Sequence, residues 1–507
     1  VGGSAYLDRG CRYEMRVRSL TFYTSSHEIA VDGGAFAPVE VPADANVGTF
    51  SDQLVISLRS AWLGHEAGSL LAAPLARFMA AEDEAARGAL LLALFAPTAT
   101  CSLLSSSETK NYVIVSALED VVAELRFWRY DRPTSSWTLE RSFKGEGYAS
   151  PSASAVSAED SDAIWLTSSS YTQPTTLAIA EAAAPAEQEP LKSLPAFYKA
   201  AGLQTQQLFA TSADGTQVPY FLVSREDAPL DGSTPTLLYG YGGFEISLTP
   251  GYAAAVGAAW LEKGYAYVQA NIRGGGEYGP RWHQAALKEK RHKAYEDFEA
   301  VAKDLVARGV TSHAKLGCEG GSNGGLLTGN MLVRSPHLFG AVLCQVPLLD
   351  MYRYSKLLAG ASWMGEFGNP EVAEEWAFLK RYSPYHRLRR TTQYPPILFT
   401  TSTRDDRVHP GHARKMVAKM LDLELPGVYY YENIEGGHGG AADNKQRAFM
   451  TALAYSFLWK VLGPPPKAPS GLLARLLARP PKALPVLIAG VAVAVGVGVA
   501  VARGKAR

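Results

Sequence analysis

Ser322 stands in the segment Lys315–Thr328 (KLGCEGGSNGGLLT), with Gly320, Gly321 and Gly324 around it in a G-x-S-x-G arrangement. A short strand-like run enters this turn and an apolar helix-like run leaves it. That is the strand–turn–helix context in which a serine hydroxyl is lifted out of a sheet. So tight a turn accepts only small neighbours, and it aims the backbone N–H of Asn323 at the place where an oxyanion would form. The chemistry would be nucleophilic acyl transfer. A serine hydroxyl is a poor nucleophile until a base takes its proton, so a carboxylate and then a histidine should follow in the chain.

Five histidines follow Ser322: His337, His386, His409, His412 and His438. His438 lies in Ile434–Ala441 (IEGGHGGA), just after the last strand-like run, where flanking glycines let a loop bend over the sheet. His337 and His386 read as turn residues. His409 and His412 are spaced for one helix face and read as surface polar or capping residues. The carboxylate has to lie between Ser322 and His438, and Ile397–Arg407 (ILFTTSTRDDR) offers Asp405 and Asp406 after a strand-like run. Local pattern does not choose between them; either would hold the imidazole in its working tautomer.

Other chemistries find less support. Gly274–Gly279 (GGGEYG) fits a dinucleotide-binding pattern after a strand-like run, but Pro280, Arg281 and Trp282 follow it and the next helix is expected near Tyr295. A phosphate would then lack a helix N-terminus to sit on. The 4 cysteines, Cys11, Cys101, Cys318 and Cys344, form no paired motif, so neither a disulfide framework nor a zinc site is expected. Lys+Arg and Asp+Glu are 49 each, which gives no basic footprint for nucleic acid. No cofactor or metal is expected.

The elements that must position these residues fall into two parts. Up to about Pro185 the chain reads as short strands separated by turns, at the spacing of a sandwich or propeller. Residues 186–200 read as a linker. From 201 to 463 strand-like runs alternate with helical ones, which argues for a mainly parallel sheet with helices on both faces and a site at the carboxyl ends of its strands. Residues 464–482 read as a Pro-rich and basic spacer. Residues 483–502 carry no charge and are bracketed by Lys482 and Arg503, so they are expected to form a transmembrane tail anchor. That reading places a monomeric body facing the cytosol on an intracellular membrane. The chain begins with Val1 rather than Met and is expected to be part of a longer protein.

The stretch from about Gln204 to Leu462 resembles the catalytic domain of prolyl oligopeptidases. The resembling pieces are Leu238–Phe244 (LYGYGGF), Asn271–Gly279 (NIRGGGEYG), Gly320–Leu326 (GGSNGGL), Asp405–Val408 (DDRV) and Gly436–Gly439 (GGHG), all in the family's order. The resemblance implies an α/β-hydrolase catalytic domain preceded by a β-propeller, here a partial one with its first blades missing. It implies a serine endopeptidase acting on short peptides after proline, with Ser322 as nucleophile, His438 as base and Asp405 as the carboxylate. It makes the Tyr241 phenol the second oxyanion donor beside the N–H of Asn323, and Arg407 the group that binds a substrate carbonyl or carboxylate. It places Phe244, Trp363, Phe367, Leu348 and Val408 around the proline ring; the family usually has Tyr where Phe367 stands and Val where Leu348 stands. Glu366 lies in the same stretch, and related oligopeptidases that cut after Arg or Lys use acidic residues nearby. The rival expectations are that basic-residue peptidase, a carboxylesterase of the same fold, and a membrane-tethered interaction protein without activity.

Overall fold

The computed structural model describes residues 2–464. Its first part consists of four antiparallel sheets, each a four-stranded meander in chain order. They are β1–β4 (Gly2–Asp8, Cys11–Ser19, Ser25–Val31, Ala37–Pro38), β5–β8 (Asn46–Phe50, Gln53–Ser57, Leu70–Pro74, Leu92–Phe95), β9–β12 (Cys101–Glu108, Tyr112–Glu119, Val122–Asp131, Ser136–Lys144) and β13–β16 (Ser150–Ala155, Ala163–Ser169, Thr176–Glu181, Glu189–Ser193).

These sheets stack as propeller blades, and the period-2 alternation of side chains explains why. In β6, Leu54 and Ile56 pack with Tyr13, Met15 and Ile29 of the first blade, while Val55 faces the third. In β10, Val113, Val115 and Ala117 join the second blade, while Tyr112 and Ile114 pack against Ile164, Leu166 and Ala178 of the fourth. A strand buried on both faces is a near-continuous apolar run, as Tyr112–Leu118 is.

The second part is an eight-stranded sheet in the order β17-β18-β20-β19-β21-β22-β23-β24. Its strands are Leu203–Thr211, Gln217–Arg225, Thr236–Tyr239, Ala266–Ala270, Leu316–Gly321, Ala341–Gln345, Ile397–Ser402 and Val428–Asn433, numbered β17–β24 in chain order. The β17–β18 and β18–β20 pairs are antiparallel; from β20 to β24 all neighbours are parallel. Two cores cover the two faces. Val268, Cys318, Cys344 and Phe399 pack with the helices His292–Ala307, Asn323–Arg334 and Gly411–Asp422. On the other face Leu237, Leu343 and Leu398 pack with Tyr455, Leu458 and Leu462 of the helix Asn444–Leu462.

Several expectations are corrected. The span 186–200 is not linker throughout: Glu189–Ser193 pairs with Thr176–Ile179 and completes the fourth blade. The helix expected near Tyr295 begins at His292, and a five-residue helix, Pro280–Gln284, precedes it. The fold class is corrected at its C-terminal transmembrane helix: among the described residues no helix is long and apolar enough to cross a membrane. The span 483–502, on which that expectation falls, lies outside the described residues; the described architecture is a β-propeller segment followed by an α/β-hydrolase.

Candidate active site

Four of the expected residues lie just beyond the carboxyl ends of parallel strands: Tyr241 after β19, Ser322 after β21, Asp405 after β23 and His438 after β24. Topology alone therefore gathers residues that are up to about two hundred positions apart on one rim of the sheet.

Ser322 has φ 58° and ψ −115°, a strained conformation for a residue with a side chain. Its surroundings hold it there. Its N–H donates to Gln345 O at 2.9 Å and its carbonyl accepts from Leu326 N at 3.1 Å. A Cβ at Gly320 would sit 2.3 Å from Gly324 O, and one at Gly324 would sit 2.9 Å from Gly240 O. These two glycines are thus required by backbone crowding. Asn323 opens the following helix, and a first-turn N–H has no partner inside its own helix. The Asn323 side chain is an anchor: Nδ2 donates to Tyr241 O at 2.6 Å, and Oδ1 accepts from Arg291.

Asp405 is buried and its two oxygens are divided between two tasks. Oδ1 accepts from the backbone N–H of Arg407 at 3.0 Å and of Val408 at 2.9 Å. Oδ2 lies 2.8 Å from His438 Nδ1. The adjacent Asp406 is exposed. The loop carrying His438 is pinned by Asn433 Nδ2, which donates to Gly440 O at 2.9 Å, and by Gln446 Nε2, which donates to Glu435 at 2.6 Å. Among the described residues no hydrogen bond joins Ser322 Oγ to His438, a contact that is often loose without substrate. Burial pushes the pKa of the Tyr241 phenol up and Glu366 adds to this, while the nearby Arg291, Ser322 and Arg407 side chains act in the opposite direction. The Arg407 side chain is exposed.

Three of the five expected pocket residues meet. Phe244 lies 5.6 Å from Phe367 and 6.4 Å from Trp363 between ring centroids, both edge-on. Phe367, Leu348 and Val408 are buried in the same core. Phe244 has φ 56°, and Glu366 Oε1 accepts its N–H at 3.0 Å.

Glu366 is buried completely and fully engaged. Besides Phe244 N it accepts from Arg291 at 2.8 Å, and it meets His283 Nε2 at 2.7 Å and the Tyr23 hydroxyl at 2.6 Å. Burial would raise its pKa, but the His283 bond, the Arg291 charge and the Tyr23 hydroxyl outweigh that and hold it below the usual carboxylate range. Sequence reasoning missed this network. Tyr23 and Phe22 come from the β2–β3 connection of the first blade, and Phe22 stands 5.6 Å from Phe244. Arg59 in the second blade adds a 2.7 Å ion pair with Glu245. No local pattern marks these residues, because they act only once blade and hydrolase pack together.

The remaining histidines divide. His409 Nδ1 accepts Gly411 N–H at 2.9 Å, as a cap would. His412 is not a surface residue: it is buried, and its Nδ1 accepts from Asp350 N at 3.1 Å and more weakly from Leu349 N at 3.4 Å. Burial pushes its pKa down to about 4. It thus braces, as a neutral ring, the chain that follows Leu348.

The family model for the prolyl oligopeptidase family matches residues 253–465. An uncharacterized peptidase of Sinorhizobium fredii is 48% identical over 372 residues, which are 73% of this chain and 50% of that protein. A prolyl endopeptidase of Elizabethkingia miricola is 39% identical over 262 residues, 51% of this chain and 37% of that protein. Among solved structures, a post-proline cleaving enzyme from Rickettsia typhi superposes with a TM-score of 0.81 at 32% identity, covering 89% of this chain and 66% of that one. The chain spans about half the length of the first of these relatives. With the family match running through the strand ends that carry Ser322, Asp405 and His438, and with these relatives and the superposition beside it, the chain belongs to the prolyl oligopeptidase family.

Proposed function

We propose that this chain carries a serine endopeptidase activity that hydrolyses short peptides on the carboxyl side of proline. The observation that carries the reading is the 2.8 Å Asp405–His438 bond at the strand ends beside the strained Ser322 turn. Ser322 Oγ attacks the scissile carbonyl while His438 Nε2 takes its proton, and Asp405 holds Nδ1–H and stabilises the imidazolium. The oxyanion is held by the Tyr241 hydroxyl and the Asn323 N–H. His438 returns the proton to the leaving amine, and water, activated by the same imidazole, releases the acyl group.

Proline specificity follows from the pocket. A proline ring offers flat apolar faces and no donor, which suits edge-on aromatic walls such as Phe244, Trp363 and Phe367. The basic-residue reading loses its support, because each Glu366 oxygen is already used by the protein. Arg407, exposed beside the triad, is the group proposed to meet a substrate carbonyl.

The test is hydrolysis of a blocked Gly-Pro fluorogenic peptide beside an Arg peptide and an acyl ester, with Ser322→Ala as the control. Cleavage of the proline substrate alone, lost in the variant, is expected. Preference for the Arg peptide or the ester by a folded chain would overturn the specificity, and a folded chain inert to all three would overturn the activity.

A further inference from the structure

Behind the His438 loop, on the sheet face opposite the helix Asn323–Arg334, lies a second cavity of ≈ 360 Å³. Strand alternation creates it: Cys318 of β21 packs on the Asn323–Arg334 side, so its neighbour Glu319 points the other way. Glu319 lines the cavity with Tyr239, Tyr267 and Tyr455, while His438 forms part of its wall and Arg447, itself exposed, stands at the rim. Neither the Glu319 carboxyl nor these three phenols has a side-chain hydrogen-bond partner among the described residues. Burial alone pushes the Glu319 carboxyl up to about 7, and burial keeps the phenols neutral.

A carboxyl without a protein partner, among three tyrosines, restricts what can fill this space. An anion would meet the carboxylate. An apolar ligand would leave it unsolvated and unpaired. A hard metal ion needs several oxygen ligands, and no cluster of metal-holding side chains occurs among the described residues. An alkylated ammonium fits both features, since its charge meets the carboxylate and its methyl groups meet aromatic rings. Arg447 at the rim disfavours a second positive charge. We propose that this cavity binds a small organic monocation of the alkyl- or methylammonium class through Glu319. Because His438 forms part of the wall, occupancy constrains the loop that carries the imidazole.

The inference is independent of the peptidase reading, and its test reads binding. Choline is titrated into the full chain by calorimetry, with sodium chloride at matched ionic strength as the control. Only ionised Glu319 attracts the cation, while burial keeps Tyr239, Tyr267 and Tyr455 neutral. Affinity is therefore expected to rise about tenfold between about pH 6 and about pH 8. His438 is the other titratable group on the wall, and the Glu319→Gln variant separates the carboxyl's contribution from it. That variant is expected to lose about tenfold or more of the affinity. Arg447→Glu, at an exposed position that does not endanger folding, is expected to tighten binding several-fold. Absent binding, affinity unchanged in both variants, or sodium competing as well as choline would each overturn the proposal.

Discussion

Asp405 Oδ2 lies 2.8 Å from His438 Nδ1 while Asp405 Oδ1 is held by two backbone N–H groups, from Arg407 and Val408. The carboxylate is thereby fixed before it orients the ring, so the working tautomer of His438 depends on this one side chain. Asp405→Asn is expected to lower kcat by about 10⁴, whereas Asp406→Asn, at an exposed neighbour, leaves it within about twofold. Steady-state kinetics on the blocked Gly-Pro peptide checks both. Equal losses would remove Asp405 from its role.

The backbone carbonyl of Tyr241 accepts from Asn323 Nδ2 at 2.6 Å, which ties the residue to the one that follows Ser322. A donor that acts on the developing oxyanion affects the transition state more than the bound substrate. Tyr241→Phe should therefore reduce kcat by about 10²–10³ with KM nearly unchanged. A rise in KM at constant kcat would make Tyr241 a substrate-binding residue instead.

Glu366 and Arg291 form a 2.8 Å ion pair with both side chains buried. Removing one partner leaves the other charge buried without compensation, which costs about 3–5 kcal/mol. Glu366→Gln is expected to lower the stability measured by urea unfolding by that order, and to gain no activity on Arg peptides. A stable variant with altered P1 preference would return Glu366 to the specificity pocket.

His412 gives the fold an acid limit. Its pKa is pushed down to about 4 in the folded state, against about 6.5 unfolded. Its contribution is therefore complete above about pH 6.5 and is lost as pH falls toward about 4, because the unfolded chain takes up a proton that the buried ring refuses. That amounts to about 3 kcal/mol across the window. His412→Asn, whose side-chain oxygen can still accept the Asp350 N–H, should flatten the decline in urea stability between about pH 7 and about pH 4.5. An unchanged slope would place the acid sensitivity elsewhere.

The candidate triad was largely legible in the linear chain. A nucleophile turn needs glycines on both sides, and a base over a sheet needs a bendable loop after a strand, so Ser322 and His438 announce themselves locally. The parallel strands were legible as well, since fully buried runs such as Ile397–Ser402 are apolar or small throughout. The choice of Asp405 over Asp406 rested on resemblance alone, and geometry then supplied the reason. The strands β17 and β18, by contrast, were not read from the sequence. In β17 the run LQTQQLFAT is only partly buried at a sheet edge and shows little periodicity.

By itself the sequence determined the blade-like spacing, the order of the parallel strands and the candidate nucleophile turn, because each depends on short-range pattern: turn residues, period-2 alternation and a few small residues around a serine. Only the tertiary structure decided what Glu366, His412 and Glu319 do. All three are polar residues whose burial, partners and charge depend on elements far away in the chain. Glu366 is used up by Tyr23, His283 and Arg291, and His412 is enclosed against Asp350. Glu319 is left facing a cavity. The free energy of a buried charge is set by the groups packed around it rather than by its sequence neighbours, and packing is what the linear order does not state.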